Sequence, residues 1–166
     1  MRLVFIAAFI PELGESLVNA LGGPAEWFVR DVSANTHLPL CVCVAHKLIQ
    51  IQVENGTVTA SDPFTLFFHD VPDGHEWAKT LRPHSWAAKT SPATSAAYLE
   101  IPNSYLLCED DRAISLFAQE AMVEKARQKG AVFETEMIKT AHTPWLVPDV
   151  MDEVARYIRR QAGEVL

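Results

Sequence analysis

The chain has 166 residues and a mass of 18.5 kDa, about one domain, and its 49% hydrophobic and 21% charged residues exclude wholesale disorder. Lys plus Arg number 14 against 21 for Asp plus Glu, a net charge of −7. That balance speaks against nucleic acid and anionic membrane surfaces as partners, since both need clustered positive charge.

The opening run Leu3 to Ile10 is apolar without alternation and is stopped by Pro11 and Gly14, which predicts a strand buried on both faces of a parallel sheet. It mimics a signal peptide, but Pro11-Glu12 follows at once with no small-residue cleavage site. Neither this run nor Leu38 to Ala45 approaches the ~20 apolar residues that span a bilayer, so no membrane segment is expected. Cys41, Cys43 and Cys108 are odd in number, and Cys41-Val42-Cys43 lacks C-x-x-C spacing. They read as free thiols of a reducing compartment, which makes the expected location cytoplasmic.

Residues 20 to 100 are broken into short pieces by Gly22-Gly23-Pro24, Asp62-Pro63, Val71-Pro72-Asp73-Gly74 and Ser91-Pro92. Ile49, Ile51 and Val53 alternate with Gln50, Gln52 and Glu54, and Asn55-Gly56 precedes Thr57-Val58-Thr59. Alternation followed by Asn-Gly predicts a hairpin, because a type I′ turn needs positive φ twice. Phe64, Phe67, Phe68, Trp77, Trp86 and Tyr98 make this stretch aromatic-rich. They either pack a loop-rich subdomain or form a lid lining an apolar pocket.

From Ile101 the pattern becomes regular. Tyr105 to Cys108 is a predicted strand with Asp110-Asp111 at its end, and a helix follows from near Ser115 to Lys129, stopped by Gly130. Val132 to Ile138 is the next strand, then comes a loop with His142. In the last helix Val147, Val150, Met151, Val154, Ala155 and Ile158 form one predicted apolar stripe. Strand, helix, strand, helix is the rhythm of an α/β fold.

In open α/β sheets ligands bind beyond the carboxyl ends of the strands. The acidic cluster Glu109-Asp110-Asp111 and His142 both fall there, on loops that leave neighbouring strands ~5 Å apart. A carboxylate beside an imidazole fixes its tautomer and stabilises the imidazolium formed when it takes a proton. Each feature also has a plain reading, the acids as a solvated helix cap and the histidine as structural. His37 with His46, and His69, Asp70 and His75, lack metal-ligand spacing, so no metal is expected. The sequence has no phosphate-cradling glycine loop, and no cofactor is expected.

Several segments together carry a family likeness. Leu3 to Pro11 with Gly14-Glu15-Ser16-Leu17 resembles a sixth strand and the entry to a cap, and Arg82-Pro83-His84-Ser85-Trp86-Ala87 with Ile101-Pro102-Asn103-Ser104-Tyr105 resembles the cap's end and a seventh strand. Cys108 to Ile114 with Gln119 resembles an acid loop, and Ala141-His142-Thr143-Pro144 a histidine loop. In order and spacing these resemble the C-terminal half of the α/β-hydrolase superfamily, nearest to its small cofactor-free branch of plant esterases, hydroxynitrile lyases and fungal secondary-metabolite hydrolases. The resemblance implies one α/β domain over residues 1–166, truncated at its N-terminus, with the last three parallel strands and flanking helices of that fold and an aromatic-rich cap at about 20–100. In that family the catalytic Asp stands eight residues before the Gln, which selects Asp111 over Asp110. His142 is then the implied general base and Asp111 its orienting acid.

The departures shape the expected function. The family's nucleophile is the Ser of G-x-S-x-G, and that motif does not occur in this sequence; Gly14-Glu15-Ser16 is followed by Leu17-Val18. Ser33 to His46 is an insertion relative to the family's cap, and His84 stands where relatives more often carry Gln. The leading expectation is a hydrolase for an ester, thioester or lactone-like bond of an apolar small metabolite, with the serine supplied from elsewhere. The alternatives are a serine-independent lyase, decarboxylase or cyclase on a polyketide-like substrate, and an inactive pseudo-hydrolase that only binds. Leu3 to Ile10 would form an apolar sheet edge, so a second copy or a partner chain is expected to cover it.

Overall fold

The computed structural model describes residues 2–31, 40–44, 47–51 and 56–164, with 40–44 and 47–51 described by their backbone. In chain order the first elements are β1 (Leu3–Ile6), α1 (Leu17–Ala20), β2 (Phe28–Asp31), β3 (Leu40–Val44), β4 (Lys47–Ile51) and β5 (Thr57–Ala60). A π-helical turn (Phe64–Phe68), α2 (Gly74–Thr80), β6 (His84–Ser85) and α3 (Ala87–Thr90) follow. The last are β7 (Asn103–Cys108), α4 (Leu116–Gln128), β8 (Phe133–Ile138) and α5 (Pro148–Gln161). No helix among the described residues is long and apolar enough to cross a membrane.

The chain forms two compact units, each described in turn. The first comprises Met1–Gly14, Asp62–Leu81 and Ala93–Leu166. Its sheet has the order β1-β7-β8, all parallel, with Phe5 opposite Tyr105 and Tyr105 opposite Thr135. This is the arrangement that the resemblance implies, three parallel strands flanked by helices. Side chains alternate across the sheet, so β7 feeds two cores. Tyr105 and Leu107 join Phe133 and, from α4, Val123 and Ala126, with Leu3 and Phe5 packed against them. Leu106 and Cys108 join Ile138 and, from α5, Val154 and Tyr157. Fully burying one such Leu stabilises the fold by about 2 kcal/mol.

The helices stop and start where their sequences dictate. The Ser115 hydroxyl accepts from the Ala118 amide at the head of α4. At its tail Gly130 takes φ +93°, and the amides of Gly130 and Ala131 donate back to Arg127 and Ala126, the bonding of a Schellman turn. On α5 the apolar stripe is narrower than predicted. Val154 and Tyr157 are buried with Val147 and Val150 partly covered, whereas Met151, Ala155 and Ile158 face solvent. Tyr157, which is not in the predicted stripe, lies on the side that meets the sheet.

The first strand also departs from its prediction. It ends at Ile6, not Ile10, because Ala7 turns to φ +44° and takes the chain out of the sheet. The Tyr105 hydroxyl locks that departure: it donates to the Ala8 carbonyl (2.6 Å) and accepts from the Ala8 amide (2.9 Å). Nor is β1 buried on both faces. It lies at one end of the strand order, and Val4 is 38% exposed. Beyond it, Glu12 pairs with Lys125 and Lys129 near the end of α4, which holds its carboxyl below the usual range.

The second unit, Glu15–Ser61 with Arg82–Pro92, contains an antiparallel sheet of order β2-β5-β6 and a separate β3-β4 pair. Among the described residues the predicted hairpin is not made: β4 pairs with β3, and β5 pairs with β2 and β6. Strand alternation was a sound signal, but partner choice rests on long-range packing that a local Asn-Gly does not determine; Asn55 itself lies outside the described residues. Buried Val58 and Trp86 centre this unit, with Phe28 edge-on to Trp86 and the Arg30 guanidinium 4.7 Å above the Trp86 ring. The aromatic-rich stretch is thus divided. Trp86 belongs here, while Phe64, Phe67, Phe68, Trp77 and Tyr98 belong to the first unit. The inserted segment 33–46 lies outside the described residues except for the backbone of 40–44.

Candidate active site

Parallel pairing brings the two candidate loops together. It continues beyond β7 and β8, where the Glu109 amide donates to Ile138 and the Asp110 amide to Thr140, at 3.0 and 3.1 Å. Gln119 of α4, fully buried, anchors the acid loop from behind. Its Oε1 accepts from the Cys108 amide (3.0 Å), and its Nε2 donates to the carbonyls of Cys108 (3.0 Å) and Ile114 (2.7 Å). A buried side-chain amide satisfied at both ends fixes the loop more firmly than an apolar residue could.

Within this frame the three acids separate. Glu109 and Asp110 are exposed, and Asp111 turns inward. Asp111 Oδ1 accepts from the amides of Ala113 (2.8 Å) and Ile114 (2.9 Å), and Oδ2 lies 2.8 Å from His142 Nδ1. The Asp111 side chain is wholly buried, while that of His142 is 23% exposed. An ionised carboxylate only accepts, so the ring nitrogen facing it carries the proton. Nδ1–H therefore points at Asp111, and Nε2 is the nitrogen left to take a proton from a reacting group. The Phe67 ring lies 5.2 Å from the imidazole and shields one side of it.

The remaining candidates lie elsewhere or in plain structural roles. Ser16 is buried and accepts from the Asn19 amide as the cap of α1. His84 is exposed on β6. His75 stacks on Phe64 at 3.7 Å, and His69 Nδ1 lies 3.1 Å from the Thr65 carbonyl. Among the described residues no group of three His, Cys, Asp or Glu could hold a metal, and His37 and His46 lie outside them. Cys108 is a free buried thiol, pushed up to about 12 by burial and then by the nearby Asp111 and Asp70 carboxylates. Such a thiol is inert at neutral pH.

Sequence reasoning missed the residues that flank His142. Asp70 Oδ2 accepts from the Thr140 hydroxyl (2.8 Å) and the Ala141 amide (2.7 Å), and the Thr143 hydroxyl donates to the Phe67 carbonyl (2.8 Å). No local pattern signals these contacts, because they join segments some 70 residues apart.

Three comparisons bear on this arrangement. Residues 2–156 match the alpha/beta hydrolase family. The alpha/beta hydrolase nvfD of Aspergillus novofumigatus is 38% identical over 172 aligned residues, covering 100% of this chain and 58% of the relative. A probable hydrolase, R7, of a Phoma species is 26% identical, covering 92% and 57%. Among solved structures, polyneuridine aldehyde esterase superposes with a TM-score of 0.65 at 20% identity, over 97% of this chain and 62% of the esterase. A mutant of that esterase gives 0.63 at 19% identity, over 96% and 61%. The chain spans about three fifths of the length of these proteins.

Proposed function

The chain belongs to the alpha/beta hydrolase family, and from that premise we propose that it supplies the acid–histidine half of a hydrolytic site. In this reading Nε2 of His142 is the general base, and Asp111 orients the ring and stabilises the imidazolium. The bond attacked is an ester, thioester or lactone-like one in an apolar small metabolite, of the kind handled in secondary metabolism. The attacking serine is not in a G-x-S-x-G of this sequence; it comes from residues outside the chain.

One observation carries the reading: a wholly buried carboxylate, held by two backbone amides, lies 2.8 Å from the Nδ1 of a partly exposed histidine at the carboxyl ends of adjacent parallel strands. A structural histidine needs no such buried acid, whereas a base that must hold one tautomer does. Aligned, low-dielectric surroundings also make the Asp111–imidazolium attraction stronger than it would be in water.

The test is labelling of the native protein with a serine-reactive phosphonate, alongside turnover of apolar esters. A label on one serine that is lost in His142→Ala supports the reading, and Asp111→Asn should lower kcat by about 10³- to 10⁴-fold by favouring the wrong tautomer. Labelling and turnover unchanged in His142→Ala would sink it. Turnover that depends on His142 with no serine labelled would favour serine-independent chemistry instead.

The apolar strand β1, with one neighbour among the described strands, supports a partner at that edge, a second copy or another chain. Sedimentation of the native protein tests this: a monomer at all concentrations would rule out an intermolecular partner.

A further inference from the structure

We propose that Asp70 is a positioning residue for His142 that acts through the backbone of the histidine loop; this rests on the reading of His142 as the base. The two residues before His142 are tied to a single atom, since Asp70 Oδ2 accepts from both the Thr140 hydroxyl and the Ala141 amide. The residue after it, Thr143, donates to the Phe67 carbonyl. One short segment, 67–70, thus holds both flanks of the histidine.

That segment is itself braced. Asp62 Oδ1 accepts from the Thr65 amide (3.1 Å) at the start of the π-helical turn, and the Val71 amide donates to the Phe68 carbonyl (3.1 Å) at its end. Gly74 packs so tightly there that a Cβ would collide with the Phe68 carbonyl and lie 3.1 Å from the Phe64 ring. The Asp111 contact fixes how the imidazole is turned but not where its backbone sits. A reacting group displaced by about 1 Å can lose about 10²-fold in rate, so something must set the loop itself, and Asp70 is placed to do so.

The bonding pattern makes a discriminating prediction. Both donors share Oδ2, and Oδ1 is buried with no hydrogen-bond partner among the described residues. The function therefore needs one acceptor oxygen and not the second. In Asp70→Asn the amide oxygen can keep both bonds while its nitrogen occupies the partnerless position. In Asp70→Ala the Thr140 hydroxyl and Ala141 amide lose their acceptor.

The experiment is nitrogen-15 histidine NMR on the native protein, reading solvent exchange of the His142 Nδ1 proton, together with kcat and KM. In Asp70→Ala exchange should accelerate at least about tenfold as the loop opens locally, and kcat should fall about 10- to 100-fold with KM within about threefold. Asp70→Asn should restore both to within about threefold of wild type, and Thr143→Val should shift exchange in the same direction as Asp70→Ala but by less. Unchanged exchange in Asp70→Ala, or Asp70→Asn as damaging as Asp70→Ala, overturns the proposal. If Asp70→Ala does not fold, unchanged exchange in Thr143→Val overturns it. Full turnover in His142→Ala would defeat the catalytic reading separately, and the exchange comparison would still decide whether Asp70 sets the loop.

Discussion

Two parallel strands of the same sheet, β1 and β7, show how little a strand's own composition settles about its fate. Leu3–Ile6 is apolar at every position, yet none of its residues is fully buried and Val4 is well exposed. Asn103–Cys108 begins with Asn and Ser, yet all six residues are buried. The difference lies in neighbours. β7 has a strand on either side and a helix over each face, whereas β1 has one strand beside it among the described residues. Burial is a property of position in the sheet, and it extends to polar residues: Asn103 is fully covered although its Oδ1 has no hydrogen-bond partner among the described residues. Asn103 Nδ2 donates to the carbonyls of Tyr98 (2.8 Å) and Val132 (3.0 Å), so its burial carries no orphan donor.

The contrast can be sharpened by substitution. Leu107→Ala in β7 should lower unfolding free energy by about 2–5 kcal/mol in urea titrations, because the cavity opens between fixed neighbours. If the loss is under about 1 kcal/mol, β7 is not the packing centre it is taken to be. A pH titration probes the same strand. Burial raises the Cys108 thiol from 9.0 to about 12, so the neutral thiol is favoured in the fold. Its contribution is complete below pH 9.0 and is lost as pH rises toward about 12. Thermal melts should therefore fall progressively above pH 9, and less steeply in Cys108→Ala; a flat profile to pH 11 would contradict the buried thiol.

Smaller effects follow at the strand ends. Gln119→Ala removes three bonds that secure the end of β7 and should cost about 1–3 kcal/mol, read as a lower urea midpoint at constant m-value. Ala7→Gly at the end of β1 should stabilise by up to about 1 kcal/mol, since φ +44° disfavours a side chain. Destabilisation there would mean that the Ala7 methyl packs for more than its backbone strain costs. Val4→Thr, on the exposed strand, should change stability by no more than about 0.5 kcal/mol. A loss of several kcal/mol would show that β1 is covered in the native protein.

The legible parts of this protein were those governed by near neighbours in the chain. Ser115 and Gly130 bound α4 because one offers an acceptor to free amides and the other tolerates a left-handed turn. Successive strands and helices announced an α/β sheet whose carboxyl ends hold the acid and the histidine. The choice of Asp111 over its two acidic neighbours came from the family resemblance, not from the residues alone; in the structure its carboxylate lies 2.8 Å from His142 Nδ1 while Glu109 and Asp110 face solvent. Strand pairing was not legible: Ile49 to Thr59 carries a hairpin pattern, but β4 and β5 take different partners.

Local propensity and hydrophobic period thus determined the strands and helices after Ile101 and where the two candidate loops fall. Tertiary structure alone decided which apolar residues are covered, so that Tyr157 lies inside and Met151 outside on one helix. It alone brought Asp70 to the shoulder of His142. The physical reason is the same in each case. A hydrogen bond or buried face between segments tens of residues apart depends on where the sheet places them, and no short window of sequence contains that information.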